Sequence, residues 1–379
     1  MSRIIYGVSG EGSGHTSRAR EIIRHLQSQG HEVRAATYDR SYTALRSEFD
    51  CLEIEGLHIV SIDNRVKILR TLQHNLRRAP RAIKYNKRLI KLFDDFSPDC
   101  VITDFEPSTA WMAMLRRIPL ISLDNQHRMR YMKFRVPVSL SFQKWLTRMI
   151  IALMIPRPDI ALATSLVVGE STSKKAAIFP PIVRQEVLEL TPAEKDYHLV
   201  YVTSAFETLI HTLKSFPDKT FVVYGHGRSD TEQNIRFREF SSDGFLRDLA
   251  GCKSVIATAG FTLISEAMYL EKPYLALPMQ GQFEQQLNAI ILDESGCGIN
   301  ARTASIRYFH QFFDRYAELK HLLNAHNSQL RQMGFEHYGA SAIKLTLDHL
   351  LKDDLLLLKQ VRQGRRLDIP EGNQVISVL

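Results

Sequence analysis

Apolar residues along the chain fall into short runs broken by polar, glycine-bearing stretches, and two spacings alternate. Ile4–Val8 is a five-residue apolar run, the length of a buried strand. Ala19, Ile22, Ile23 and Leu26 then recur at i, i+3, i+4 and i+7, the stripe of a helix that buries one face, and Gly30 ends it. His31–Thr37 reads as the next strand. A strand–helix–strand opening predicts a parallel sheet covered by helices. Cys100–Thr103 and Pro119–Leu123 read as further strands either side of a helix over Pro107–Arg116, and Thr164–Val183 is mixed. A second series follows, with strands at His198–Thr203, Phe221–Tyr224, Ser254–Thr258 and Tyr274–Leu277 and helical stretches between them. Helices over about 304–332 and 340–360 and a polar tail complete the chain.

The polar segment 184–197 contains Pro192 and lacks a strand pattern, so it reads as a linker. The expected division is 1–183 for an N-terminal Rossmann-like domain, 198–345 for a C-terminal one, and 346–379 for a last helix and tail that return to the first domain. A length of 379 residues suits two domains, and 44% hydrophobic against 24% charged residues suits a globular protein rather than a disordered one. Cys51, Cys100, Cys252 and Cys297 are far apart, which argues against a disulfide framework or a cysteine-rich zinc site. Met1–Arg3 leads directly into Ile4–Val8, unlike a secretory leader, and the longest apolar run, Met149–Pro156, is far short of a spanning helix. A cytoplasmic location is expected.

Charge changes this picture in one respect. Residues 1–160 carry 26 Lys+Arg against 16 Asp+Glu, whereas 161–379 carry 23 against 25. Ten basic residues and no acid lie between Arg65 and Lys91. Six more between Arg128 and Ile155 are interleaved with Tyr131, Phe134, Phe142 and Trp145. Basic residues mixed with aromatic ones suit either an interfacial surface on anionic lipid or solvated helix faces around an ordinary core. No nucleic-acid module accompanies them, so no nucleic-acid partner is expected.

Three segments carry candidate chemistry. The loop GVSGEGSGHTSRA (Gly7–Ala19) joins a strand to a helix start, a geometry that favours anions. It fits neither the P-loop nor the dinucleotide fingerprint, because Gly10, Gly12 and Gly14 are spaced two apart and no lysine follows. Asp39, after the second strand, stands where a ribose-binding acid would in a dinucleotide enzyme. His15 lies beyond the end of a parallel strand, where a general base would sit, though a plain loop or capping histidine fits equally. In VITDFEP, Asp104 either orients His15 or caps the helix near Pro107, and Glu106 competes for either role. In Val255–Ala289, the turn at Gly260–Thr262 opens a helix whose amides, with the Thr262 hydroxyl, suit a diphosphate. Glu266 lies one turn on, and Glu284 and Gln285 follow the next strand, all placed to reach sugar hydroxyls. The alternative is an ordinary capped turn.

This last segment resembles the donor signature of nucleotide-sugar glycosyltransferases of the GT-B fold, among them the family 28 transferase that forms lipid II and the UDP-glycosyltransferases. Thr258, Gly260, Thr262, Glu266, Ala267, Pro273, Pro278, Glu284, Gln285, Asn288 and Ala289 fall in its register. Ala259 replaces the usual first glycine, Lys272 precedes the proline, and Glu284 replaces the usual Asp. The GSGH, TDFEP and GQFEQ strings are similar to a prokaryotic group of predicted glycosyltransferases. The resemblance implies two Rossmann-like domains facing across a cleft. It implies His15 as base with Asp104 as its partner, and Gly12, Gly14, Glu106, Asn125 and Gln126 on the acceptor side. Ser204, Phe240, Gly260, Phe261, Thr262, Glu266, Glu284 and Gln285 would lie around the donor.

The implied reaction is inverting transfer from a nucleotide-diphosphate sugar, UDP-linked by resemblance, to a hydroxyl of a glycan or lipid-linked acceptor. The sugar is a hexose or N-acetylhexosamine, and an anionic membrane surface is the further partner. No D-x-D triplet is present, and neither metal nor cofactor is expected. The alternatives are a sugar-nucleotide 2-epimerase of the same fold and a non-catalytic sugar-nucleotide-binding protein.

Overall fold

The computed structural model describes residues 1–56, 61, 62, 65, 66, 85, 87–202 and 207–367. The chain divides into two compact units. One is built from Met1–Ser61, Val66–Arg184 and His337–Leu379, the other from Gln185–Glu336 with the short Ile62–Arg65. Each contains a seven-stranded, mostly parallel sheet with helices.

In the first unit the sheet comprises β1 (Arg3–Val8), β2 (Glu32–Thr37), β3 (Cys51–Glu53), β6 (Cys100–Asp104), β7 (Leu120–Asp124), β8 (Ile160–Thr164) and β9 (Ala176–Phe179). A separate two-residue ladder pairs β4 (Ser61–Ile62) with β5 (Arg65–Val66). The sheet order is β3-β2-β1-β6-β7-β8-β9, with every pairing parallel. Strands β6, β7 and β8 are buried along their whole length, as expected where helices cover both faces. Ile5, Val101 and Leu120 form a core with Ala110, Phe93 and Ile155 from the helices on one side. Chain order reverses at β1, which lies between β2 and β6, so the crevice at the carboxyl ends of β1 and β6 is the topological switch point.

The second sheet comprises β10 (His198–Tyr201), β11 (Phe221–Tyr224), β12 (Thr231–Glu232), β13 (Ile235–Arg238), β14 (Ser254–Ala257), β15 (Tyr274–Ala276) and β16 (Gly298–Asn300). Its order is β12-β13-β11-β10-β14-β15-β16, and only β12 runs antiparallel to its neighbour. Val200, Val223, Ile256, Leu275 and Ile299 pack against Phe309 and Phe312, which project from one helix face at i and i+3. The switch point here lies between β10 and β14.

Two boundaries differ from the sequence reading. The segment expected to be a linker holds a short helix, Gln185–Leu188, and belongs to the second unit. The limit expected at 345 falls inside the helix Ala340–Leu351, which belongs wholly to the first unit. Ile343, Leu347 and Leu350 on that helix are fully buried. His25 Nε2 lies 2.8 Å from Asp348 Oδ1, Lys344 bonds Glu21 at 3.4 Å, and the amide of Gly339 donates to Pro181 O at 3.0 Å. The stripe on this helix needs an apolar face to bury, and the first unit supplies it. Of the ten basic residues between Arg65 and Lys91, the six from Lys67 to Lys84 lie outside the described residues.

Candidate active site

The glycine loop after β1 is shaped by two different requirements. A side chain at Gly7 would meet Thr109 Oγ1 at 2.0 Å, and one at Gly10 would meet Tyr38 at 2.4 Å, so these positions serve close packing. Gly12, with φ of +90°, supplies a left-handed conformation immediately before the helix Ser13–Ser28. Gly14 and His15 then fall in the first helical turn.

At the end of β6 the two carboxylates of VITDFEP take different tasks. Glu106 is the helix cap: its side chain accepts from the amides of Ser108 (2.8 Å) and Thr109 (2.7 Å) and from the Thr109 hydroxyl (2.6 Å). Burial raises its pKa in spite of those bonds, and none of it is exposed. Of the two roles open to Glu106 from sequence, the structure shows the helix cap, with the carboxylate bonded in the turn that starts Pro107–Leu115. Phe105, at φ +55°, separates the two acids in a left-handed conformation.

Asp104 therefore remains for His15. Its Oδ1 lies 2.6 Å from His15 Nδ1, and it is fully buried. Arg18, three residues along the same helix face, clamps this carboxylate, with Nε on Oδ2 at 2.7 Å and Nη2 on Oδ1 at 2.6 Å. A buried carboxylate without such a partner would cost several kcal/mol. Burial works against the charge on Arg18, but attraction and hydrogen bonding to Asp104 prevail and raise its pKa.

The geometry also orients the ring. A carboxylate oxygen is an acceptor, so the contact pairs Nδ1 with Asp104 as the donating nitrogen and leaves Nε2 as the ring nitrogen not engaged by Asp104. Arg18 Nη2, 3.2 Å from the same nitrogen, donates to the carboxylate instead. About 12% of the His15 side chain remains accessible. Arg18 was missed from sequence, although its i+3 spacing from His15 was visible.

Beside this group, at the end of β7, Asp124 and His127 form a second pair. His127 Nδ1 lies 2.7 Å from Asp124 Oδ2, and the His127 amide and the Ser122 hydroxyl donate to the same carboxylate at 2.7 and 2.6 Å. Burial disfavours the Asp124 charge, yet the charge of His127 and these bonds outweigh it and hold its pKa at about 2. Both side chains are fully buried. Asn125 and Gln126, between them, are nearly so.

In the second unit the switch-point loop is built from neutral groups. Gly260 precedes the helix Phe261–Tyr269, and no side chain caps it. Its φ of −69° suits any residue, and a side chain there would meet nothing within 4 Å. Neither conformation nor packing requires glycine at this position. The loop is held from behind: Tyr274 Oη donates to Thr258 O at 2.7 Å and Asn288 Nδ2 to Ala259 O at 2.8 Å. First-turn amides of a helix lack intrahelical partners. Thr262 is half-buried at this turn and Glu266 is almost wholly buried. Gln285 Oε1 accepts from the Met279 amide at 3.0 Å, and Glu284 is half-buried in the first turn of Phe283–Glu294.

Phe240 is 61% exposed at the edge of an aromatic group. Tyr201, Tyr224 and Phe245 have ring centres 6.0, 6.4 and 5.7 Å from it. Tyr224 Oη and Arg238 Nη1 both donate to Asp248 Oδ2, at 2.7 and 2.6 Å. Ser204 lies outside the described residues. Among the described residues no group of three His, Cys, Asp or Glu side chains is placed to hold a metal ion.

Comparison with known proteins agrees with this fold. Residues 2–316 match the glycosyl transferase family 1 pattern. An uncharacterised glycosyltransferase of Methanosarcina mazei is 26% identical over 336 residues, covering 78% of this chain and 84% of the relative. One from Methanosarcina acetivorans is 26% identical over 326 residues with the same coverage. Among solved structures, the kitacinnamycin glycosyltransferase superposes with a TM-score of 0.64 at 15% identity, covering 92% of this chain and 98% of that one. The calicheamicin glycosyltransferase gives 0.64 at 12% identity, covering 93% and 99%. The spinosyn rhamnosyltransferase solved with thymidine diphosphate gives 0.57 at 14%, covering 88% and 96%. These neighbours share the GT-B fold, and the chain belongs to glycosyl transferase family 1.

Proposed function

We propose that the protein transfers a sugar from a nucleotide-diphosphate donor to an acceptor hydroxyl with inversion and without a metal ion. The observation that carries this reading is the His15–Asp104–Arg18 group. It holds an accessible imidazole with Nδ1 on Asp104 and Nε2 not engaged by it, at the crevice where α/β proteins place their chemistry. His15 Nε2 would take the acceptor proton as the oxygen attacks the anomeric carbon. Asp104 would stabilise the imidazolium that forms, and Arg18 holds Asp104 in place through two hydrogen bonds.

The second unit would bind the donor. Amides at the start of Phe261–Tyr269 and the Thr262 hydroxyl would accept the departing diphosphate charge, and Gly260 leaves room for it. Glu266, Glu284 and Gln285 would contact ribose and sugar hydroxyls, and the exposed Phe240 the base. Thymidine diphosphate bound in a neighbour of the same fold supports a nucleoside diphosphate as ligand class, and a UDP-linked hexose or N-acetylhexosamine is our reading of the signature. The acceptor is a glycan or lipid-linked glycan of the cell envelope.

The test is His15→Ala assayed for transfer and for nucleotide binding. Loss of turnover with unchanged UDP affinity is expected, and unchanged turnover would remove His15 as base. Conversion of the donor to its epimer with no acceptor present would instead show an epimerase.

A further inference from the structure

The helix Ser141–Met154 in the first unit is amphipathic the wrong way round for a protein in water. Phe142, Trp145, Met149, Ile150 and Leu153, at i, i+3, i+7, i+8 and i+11, form one stripe that is between 47% and 69% exposed. The charged residues are the ones tucked in. Lys144 Nζ lies 4.4 Å from the centre of the Phe134 ring and donates to Phe134 O at 3.2 Å, and Arg148 Nε donates to Met129 O at 2.8 Å. Arg148 thereby ties the helix to the turn that follows Asp124, at the same sheet edge as Asp104. The apolar surface continues onto the helix Pro107–Leu115, where Leu115 is 69% exposed and Trp111 Nε1 donates to Leu153 O at 3.0 Å. A contiguous exposed apolar surface of this kind marks an interaction site.

Charge selects the occupant. From residue 125 to residue 158 the sequence has seven Lys or Arg and no acid. Lys133, Arg135 and Arg157 are exposed, as is Arg117 beside Leu115. An apolar stripe with two tryptophans, bordered by cations and with the helix Ser141–Met154 carried on a segment, 125–158, that has no acid, matches an anionic lipid headgroup layer over acyl chains.

We propose that this face docks the first unit on an anionic bilayer, with Phe142, Trp145, Met149 and Leu153 entering the acyl boundary and the surrounding Lys and Arg meeting headgroups. The docking does not depend on the transferase reading. Its consequence, that the acceptor is presented at a membrane, rests on that reading.

Trp111 and Trp145 are the only tryptophans in the chain, so intrinsic fluorescence reports this face alone. The full-length protein is mixed with phosphatidylcholine vesicles or with vesicles containing 30% phosphatidylglycerol. The expected result is a blue shift and at least 10-fold more bound protein with the anionic vesicles, weakened by salt. Phe142→Ser/Leu153→Ser should lose about 10-fold of that binding while melting temperature and UDP affinity stay unchanged. Equal binding of both proteins, no preference for anionic lipid, or a dimer that the same substitutions dissolve would each overturn the proposal. Retained UDP affinity without vesicle binding would reject the docking face and leave the transferase reading standing. Vesicle binding without UDP affinity would do the reverse.

Discussion

The two switch-point loops share a plan and differ in what fills it. In the first unit the turn after β1 meets a dense ionic group, with His15 and Arg18 from one helix turn closing on a fully buried Asp104. In the second, the hydrogen bonds that hold the turn after β14 come from neutral groups. Its backbone is braced by Tyr274 and Asn288, and Gly260 faces open space. On the proposed reading, the ionic loop would hold a proton in one place and the neutral one would offer amides to an anion. The same βα geometry would therefore support acid–base work or diphosphate binding according to the side chains placed behind it.

Substitutions at each loop should separate these tasks. The largest effect is expected for His15→Ala, a loss of about 1000-fold in turnover, or about 4 kcal/mol, with nucleotide affinity unchanged. Steady-state rates and calorimetry on one preparation would show it.

Next is Asp124→Asn, which leaves His127 without its buried partner and should cost about 3 kcal/mol of stability in urea unfolding. With its pKa at about 2, Asp124 stabilises the fold above the ordinary value of 3.8, and this stabilisation is lost as pH falls through 2. Acid unfolding of the Asn variant should lack that step.

Gly260→Ala is expected to weaken UDP binding about 10-fold, or 1.4 kcal/mol, while changing unfolding free energy by less than about 0.5 kcal/mol. An unchanged affinity would remove the diphosphate from this turn. A further effect, on pH dependence alone, concerns His198, which burial, followed by the nearby Lys219 and Lys253, lowers from 6.5 to about 4. It is neutral in the fold, so its contribution is full above pH 6.5 and declines as pH falls toward 4. His198→Phe should flatten that part of the stability profile.

The elements that the pattern exposed were those with uninterrupted apolar runs: β1, β6, β7, β10, β11, β14 and β15. Those it hid were short or blended with their surroundings. β3 and β16 have three residues each, and β8 follows the apolar stretch Met149–Pro156 with only Arg157, Pro158 and Asp159 between them. The C-terminal return of Ala340–Leu351 was expected only for its last turn and the tail, because local periodicity does not say which sheet a stripe will meet. At the site, spacing identified His15, Asp104 and Gly260 as candidates. It did not divide the work between Asp104 and Glu106, which depends on the left-handed Phe105 between them. Arg18 was overlooked because its role exists only once helix and strand are brought together. For the segment of Phe142 and Trp145 the sequence left two readings open, an interfacial surface or solvated helix faces around a core, and only the packing of the helix shows which side chains are exposed.

The central claim is that the first unit supplies the base and the second the donor site. Measuring UDP affinity and donor-to-acceptor transfer in parallel for wild type, His15→Ala and Gly260→Ala tests it most directly. The account predicts that His15→Ala binds UDP normally and fails to transfer, whereas Gly260→Ala binds UDP about 10-fold more weakly. Full transfer by His15→Ala, or loss of UDP binding in His15→Ala with normal binding in Gly260→Ala, would contradict it.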